Sequence, residues 1–581
     1  MKLSFVSLMA VASRTAAMSL PSLHDLTSNL MPRQSNCQNS PTSRGCWGNF
    51  SIDTNYYDVF PDTGVTRDVY LTIEEGPCAP DGVNTTCQTI NGTMPGPLIM
   101  ADWGDRLNIH VTNNLPVNGT SIHWHGIRQL GSVASDGVPG VTQCPIAPGT
   151  SLTYSFHLTQ YGTTWYHSHL SLQYAMGLFG PMIINGPATA DYDEDLGVIH
   201  LQDWAHKTAF SLWDTAKQGA PPTMENGLIN GTNTYNCTST DTCTGIVGKK
   251  FETRFEAGKK YRIRLVNVAT DGHFQFSIDG HSLTVIANDL VPIVPYTADS
   301  VLLTMGQRYD VIVEANATPG DYWLRGAWVD ACMTNGNSNG ITGIVRYDNT
   351  STADPTSTST VTTASSCNDE PFSSLVPHVA MDIGTITQTA SESLNFKFDT
   401  YFKCKPHSWT LNDSSLLLDW ASPTITRVIN GSLTFPTDYN VVSVNGTSSD
   451  WAMLVIQDAT GFGLFHPIHL HGHDFWVVAQ DAGTFDPATT NMTLTNPPRR
   501  DVATLPGNGY LAIAFKLDNP GTWLTHCHIA WHASGGFALE FVERQSEIVA
   551  AMPTADQTTV QNTCSSWGSF NQVVKQDDSG I

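Results

Sequence analysis

Residues 526–532 read His-Cys-His-Ile-Ala-Trp-His, three imidazoles and one thiol within seven positions. That density is not the pattern of an apolar core. Upstream, residues 511–517 alternate bulky apolar side chains with Ala and Lys as a strand does, and residues 537–542 have the composition of another. The histidines are therefore expected on a loop and short turn between two strands, a rigid mount for ligands. Side chains alternate in an extended backbone, so if Cys527 points one way, His526 and His528 point the other. One cysteine can then join two metal centres.

A thiolate is a soft ligand and imidazole suits copper; one Cys with two His and a weak or absent axial ligand is the pattern of an electron-transfer copper site. Cys527 and His532 supply two of those three. Residues 466–473, His-Pro-Ile-His-Leu-His-Gly-His, are the obvious source of the third. Two more pairs remain, His123-Trp124-His125 and His167-Ser168-His169, and in a strand both rings of a His-x-His pair face one side. One such pair is better explained by satisfied histidines on a strand or by a chance repeat. Four clusters holding eleven of the 20 histidines, one of them around a cysteine, are not. A zinc site would use only three or four of these residues, whereas a multi-copper site would use nearly all.

On these motifs the chain resembles the multicopper oxidases, and in detail the ascomycete-type laccases, from about Cys37 to Ile581. The resemblance implies an all-β fold of three cupredoxin-like Greek-key β-sandwich domains and four copper ions. It assigns His466, Cys527 and His532 to a type 1 copper, and His123 and His469 to a type 2 copper. His125, His167, His169, His471, His526 and His528 fall to two type 3 coppers, which leaves His473 as a supporting residue. The implied reaction is one-electron oxidation of phenolic or related aromatic reductants, coupled to four-electron reduction of dioxygen to water. Phe537, ten positions after Cys527, stands where relatives often carry an axial Met and laccases more often Leu; it cannot coordinate, which implies a three-coordinate site of relatively high potential.

The same resemblance makes Asp271 the acid that takes the phenolic proton beside the exposed type 1 ligand His532. Asp136 is similar to a family acid near the type 2 copper that relays protons. Ala220, Pro221, Trp409, Phe462, Leu464 and Trp531 would line the substrate pocket. The terminal Asp578-Ser579-Gly580-Ile581 resembles the processed laccase terminus that plugs the channel to the trinuclear coppers. The alternatives are an ascorbate, bilirubin or ferrous iron oxidase of the same family, or a non-catalytic copper-binding cupredoxin protein. The missing axial Met argues against the first two, and the lack of an anchor against a cell-surface ferroxidase. Filled ligand positions argue against a protein without turnover.

A chain of 581 residues is too long for one core, and only 14% of it is charged, with abundant Gly, Pro, Ser, Thr and Asn, as in folds of many strands and turns. A net charge of −24 argues against nucleic acid and anionic membrane surfaces as partners and favours a monomer. Residues 1–20 resemble a secretory signal and residues 21–33 a propeptide, and about a dozen Asn-x-Ser/Thr sequons fit a secreted, extracellular glycoprotein. Twelve cysteines agree with an oxidising compartment. Spacing allows local bridges Cys37 to Cys46, Cys78 to Cys87 and Cys237 to Cys243, and the resemblance implies Cys144 to Cys564 and Cys332 to Cys367. Cys404 is then left as a buried free thiol.

The expected domains are 34–187, 188–350 and 367–581, joined by a Ser/Thr/Pro-rich linker at 351–366. Strands are expected at 69–73, 106–112, 152–157 and 182–185, then at 261–268, 281–287 and 309–314. The first and third domains carry the metal clusters, so a trinuclear site would lie between them. The second reads as a spacer that also builds the substrate wall.

Overall fold

The computed structural model describes residues 37–238, 243–348, 350–397, 408–570 and 576–581. The signal-like and propeptide-like segments and Cys404 lie outside the described residues. Pairs of sheets recur three times along the chain. The first unit packs a sheet ordered Thr85–Ile90, Thr66–Cys78, Arg106–Asn113, Ser151–His157 against one ordered Ile99–Asp102, Phe179–Asn185, Gly162–His167, His123–Trp124. The second and third each pair a six-stranded with a five-stranded sheet. Each unit opens with the same long-range parallel pairing: Thr66–Cys78 on Arg106–Asn113, Glu194–Trp204 on Lys260–Asn267, and Ile386–Lys397 on Trp451–Asp458. Such a crossover inside otherwise antiparallel sheets is a Greek-key signature, and the fold is three cupredoxin-like sandwiches.

Local patterning explains most of these strands. In Arg106–Asn113 the inward Leu107, Ile109 and Val111 are fully buried while Arg106 is exposed, the half-buried alternation that the sequence displays. The expected strands at 261–268 and 309–314 form as Lys260–Asn267 and Arg308–Glu314.

The loop expected around residue 526 is a correction. Gly521–Cys527 is a strand buried along its whole length, and the short helix Ala530–Ser534 follows it. Its Gly-Thr-Trp-Leu-Thr-His-Cys sequence lacks alternation because both faces are covered.

Residues 351–366 run as a strap along the second sandwich. Ser357 Oγ donates to Asp279 at 2.8 Å, and Ala364 N donates to Gln275 Oε1 at 2.8 Å. Five disulfides form: Cys37 with Cys46, Cys78 with Cys87, Cys144 with Cys564, Cys237 with Cys243, and Cys332 with Cys367. The helix Thr554–Phe570 carries Cys564. Its Trp567 bridges two sandwiches: it meets Trp420 of the third at 6.0 Å between ring centres and lies over Gly119 of the first.

Candidate copper centres

Strand register assembles the histidines. His123 stands opposite His167 across one antiparallel pair, and His469 opposite His526 across another. Cys527 stands opposite Ile468, so it faces the side that His466 shares with Ile468, while His469 and His526 face the other. The expected split of Cys527 from its neighbours is thus built into one ladder.

On the first side, Cys527 Sγ lies 3.8 Å from His466 Nδ1 and 3.6 Å from His532 Nδ1, and the two nitrogens are 3.0 Å apart. On the other, ring nitrogens of His123, His469 and His471 come within 4.8 Å of one another, as do those of His123, His125 and His167, and of His169, His471 and His526. His528 completes the cage, 5.1 Å from His125 and 5.5 Å from His526 between ring centres.

The rings are oriented by their second nitrogen. Nδ1 of His123 meets the Asp136 carbonyl at 2.8 Å, that of His469 the Asp501 carbonyl at 2.7 Å, and that of His471 Asp136 Oδ2 at 3.0 Å. His167 and His526 use the carbonyls of Ser168 and Cys527 in the same way. On all five, buried Nε2 is left without a partner. Burial and neighbouring rings hold His125, His167, His169, His469, His471 and His528 well below the usual imidazole range, and His526 at about 4. These are neutral donors with inward lone pairs. Burial pushes the Cys527 thiol well up, and a coordinating cation would take the place of its proton. The donor set fits copper, with thiolate and imidazole on one side and imidazole alone on the other.

Around the thiol side, Trp409 lies 4.3 Å from His532 and 5.1 Å from His466 between ring centres. Phe537 is 5.1 Å from His466 and buried. Phe462 is 52% exposed, 6.5 Å from Trp409. Leu464 is half-buried against the same core. Trp531 lines a narrow cleft with Asp203, Thr270 and Met224. Ala220 and Pro221 are exposed on the loop leading to Met224.

Asp271 is 2% exposed, with one carboxyl oxygen unpartnered. Burial, then the charge of Asp203, pushes it well above the carboxylate range. Its turn is docked on the copper-side helix, since Ala530 N donates to Thr270 O at 3.0 Å.

Residues 578–581 are buried. Ser579 Oγ donates to Ala533 O at 2.7 Å, Trp420 Nε1 donates to Gly580 O at 2.7 Å, and Ser171 Oγ donates to Asp578. Ile581 lines a cavity with His167, His169, His526 and His528.

Sequence reasoning missed several partners. His473 is held by Glu543 at 2.9 Å. Asp203 caps the Asp271 turn, and Asp501 supports His469; the one local signal for Asp501 is the Arg499-Arg500-Asp501 run in a chain poor in charge.

Three segments, 72–189, 195–350 and 407–547, match family models described as multicopper oxidase. Laccase-2 of Botryotinia fuckeliana is 60% identical over 588 residues, covering 99% of each chain. Laccase-1 of the same fungus is 54% identical over 100% of both. The crystal structure of the laccase from Botrytis aclada superposes with a TM-score of 0.90 at 60% identity, covering 94% of this chain and 100% of that one. With its histidine clusters and thiol gathered in this geometry, the chain belongs to the multicopper oxidase family, as a copper-binding laccase.

Proposed function

We propose that this laccase oxidises phenolic and related aromatic reductants at His532 and reduces dioxygen within the eight-histidine cage. The observation that carries the reading is the two-faced strand end at Cys527, whose thiol meets His466 and His532 while His526 beside it meets the cage. Copper supplies the one-electron chemistry, as a type 1 ion on His466, Cys527 and His532, a type 2 ion on His123 and His469, and two type 3 ions on His125, His167, His169, His471, His526 and His528.

The chain's own residues do the rest. His526 and Cys527 are covalently continuous, so an electron leaving the thiol side reaches the cage without crossing solvent. Trp409 lies tilted beside His532 and, with Phe462, Leu464 and Trp531, offers aromatic and apolar wall to a phenol; Ala220 and Pro221 would close the outer rim. Asp271 accepts the phenolic proton once its own carboxyl is ionised. Asp136 ties His123 to His471 and can hand on protons at Oδ1, which makes no hydrogen bond. Asp578, Ser579, Gly580 and Ile581 close one approach to the cage. Boundaries near 187, 350 and 367 separate the three sandwiches. Secretion of a monomeric glycoprotein is supported by the signal-like start, the sequons, the disulfides and the net charge.

Copper analysis with oxygen uptake on phenols, diamines, ascorbate and ferrous salts tests the reading. Four coppers per chain, with phenols preferred and four electrons used per dioxygen, are expected. A protein that takes up no copper, or no oxygen with any phenol, overturns it.

A further inference from the structure

The second sandwich carries none of the ten histidines or the cysteine assigned above, yet one of its turns lies directly beneath the cage. Gly306 has φ +85°, and a Cβ there would stand 3.0 Å from His528 Cδ2 and 3.1 Å from His125 Cε1. The turn is fixed from within, with Gly306 N on Asn267 O at 2.9 Å and Gln307 N on Thr304 O at 3.1 Å. It is fixed from the third sandwich by Gln307 Nε2 on Val502 O at 3.2 Å.

Arg308, at the end of the turn, is wholly buried. Its two terminal nitrogens clamp Asp501 of the third sandwich at 2.5 and 2.6 Å, and Nε reaches Thr163 O of the first at 3.3 Å. Asp501 in turn bears on two cage histidines. Its carbonyl accepts His469 Nδ1, and its Oδ1 lies 3.2 Å from His125 Nε2, off the line of an ideal hydrogen bond but in charge contact. Gly126, next to His125, leaves the room this requires, since a Cβ there would stand 2.3 Å from Asp501 Oδ2 and 2.6 Å from Arg308 Nη2.

His125 is therefore turned relative to five of the other seven cage histidines, the remaining two, His169 and His528, having neither ring nitrogen hydrogen-bonded. In His123, His167, His469, His471 and His526 the Nδ1 is engaged and Nε2 is free, whereas in His125 a carboxylate faces Nε2 and Nδ1 has no partner. An acceptor on one ring nitrogen holds the proton there and leaves the other as donor. Without a clamp the Asp501 carboxylate would be free to rotate about its terminal bond. The bidentate guanidinium fixes both of its oxygens.

We propose that the turn at residues 304–308 of the second sandwich is a positioning element of the trinuclear centre: Arg308 orients Asp501 so that His125 presents Nδ1 to a type 3 copper, and side-chain-free Gly306 lets His125 and His528 seat on the turn. This rests on the copper reading above. It makes the middle domain part of the oxygen-reducing site rather than a spacer.

The test uses the full-length holoenzyme with Arg308→Lys, which keeps charge but loses the fork, Gly306→Ala, and Arg262→Lys as a control. Arg262 is a buried arginine of the same domain whose side chain is held by Asp310 and Tyr192. Copper content, the near-ultraviolet band of the coupled pair, and reoxidation by dioxygen are measured beside the blue absorption and its bleaching by a phenol. Arg308→Lys and Gly306→Ala are expected to lose coupled-pair signal or copper and to slow reoxidation by about 10–100-fold, with blue absorption and bleaching unchanged. Arg262→Lys is expected to lower Tm alone. Wild-type coupled-pair signal and reoxidation in both variants, or an equal loss in Arg262→Lys, overturns the proposal. Should Arg308→Lys not accumulate folded, Gly306→Ala decides. A wild-type protein without copper would instead overturn the copper reading, and this one with it.

Discussion

Asp203 Oδ2 accepts the backbone N–H of Asp271 at 2.8 Å, and Asp203 Oδ1 that of Thr270 at 2.8 Å. One buried carboxylate thus caps the turn that carries a second. Burial raises Asp203 to about 6, and burial followed by the charge of Asp203 pushes Asp271 well above the usual carboxylate range. Asp271 is therefore a proton acceptor only after it has lost its own proton, so phenol oxidation should rise with pH through its elevated pKa. In Asp271→Asn the rise should vanish and kcat/KM for phenols fall by about 10²-fold. A donor that loses no proton should be little affected. Asp203→Asn removes the neighbouring charge and should move the rise to lower pH. Profiles of kcat/KM against pH for both donor types check all three; equal losses on both donors would exclude Asp271 as the base.

Cys527→Ser should abolish blue absorption and substrate oxidation while leaving the fold and cage intact, because Cys527 is the one free thiol among the described residues and meets both thiol-side histidines. Absorption spectra with copper analysis check this: three coppers without colour are expected. A blue, active variant would remove the assignment.

Phe537→Met would set a thioether where an aromatic ring now packs 5.1 Å from His466. A weak axial ligand lowers the potential of such a site. Redox titration should find a lower type 1 potential; an unchanged or higher value would mean that residue 537 is not axial.

Removing Ser579 to Ile581 takes away the contacts to Ala533 and Trp420 and opens the cavity beside His167 and His169. Reoxidation by dioxygen should change more than type 1 reduction by a phenol. Stopped-flow separation of the two half-reactions is the measurement, and identical reoxidation would rule out a closing role.

Glu540 is wholly buried, and burial, opposed by Thr424 and Arg427, raises it from 4.5 to about 8. The folded state therefore holds a proton that the unfolded state has already released. Its contribution to stability is intact below about pH 4.5 and is lost progressively towards pH 8. Glu540→Gln should flatten that decline, as calorimetric Tm against pH would reveal. An unaltered slope would mean the carboxyl is charged and solvated in the folded protein.

The amino-acid sequence by itself determined the donor residues and a fold of many strands and turns, and the family resemblance narrowed that fold to sandwiches. Copper ligands sit in His-x-His and His-Cys-His runs, where a period of two decides which side chains share a face, and outer strands such as Arg106–Asn113 alternate because one face meets water. Tertiary structure decided what each face meets. Gly521–Cys527 is covered on both sides and loses its alternation, so the strand that carries the central cysteine was not legible. The partners that orient the rings are also distant in the chain: Arg308 lies 193 residues from Asp501, and Asp136 lies 335 from His471. No local pattern encodes such a pair, because a buried carboxylate needs its cation or its N–H in space and is indifferent to where along the chain that partner arises.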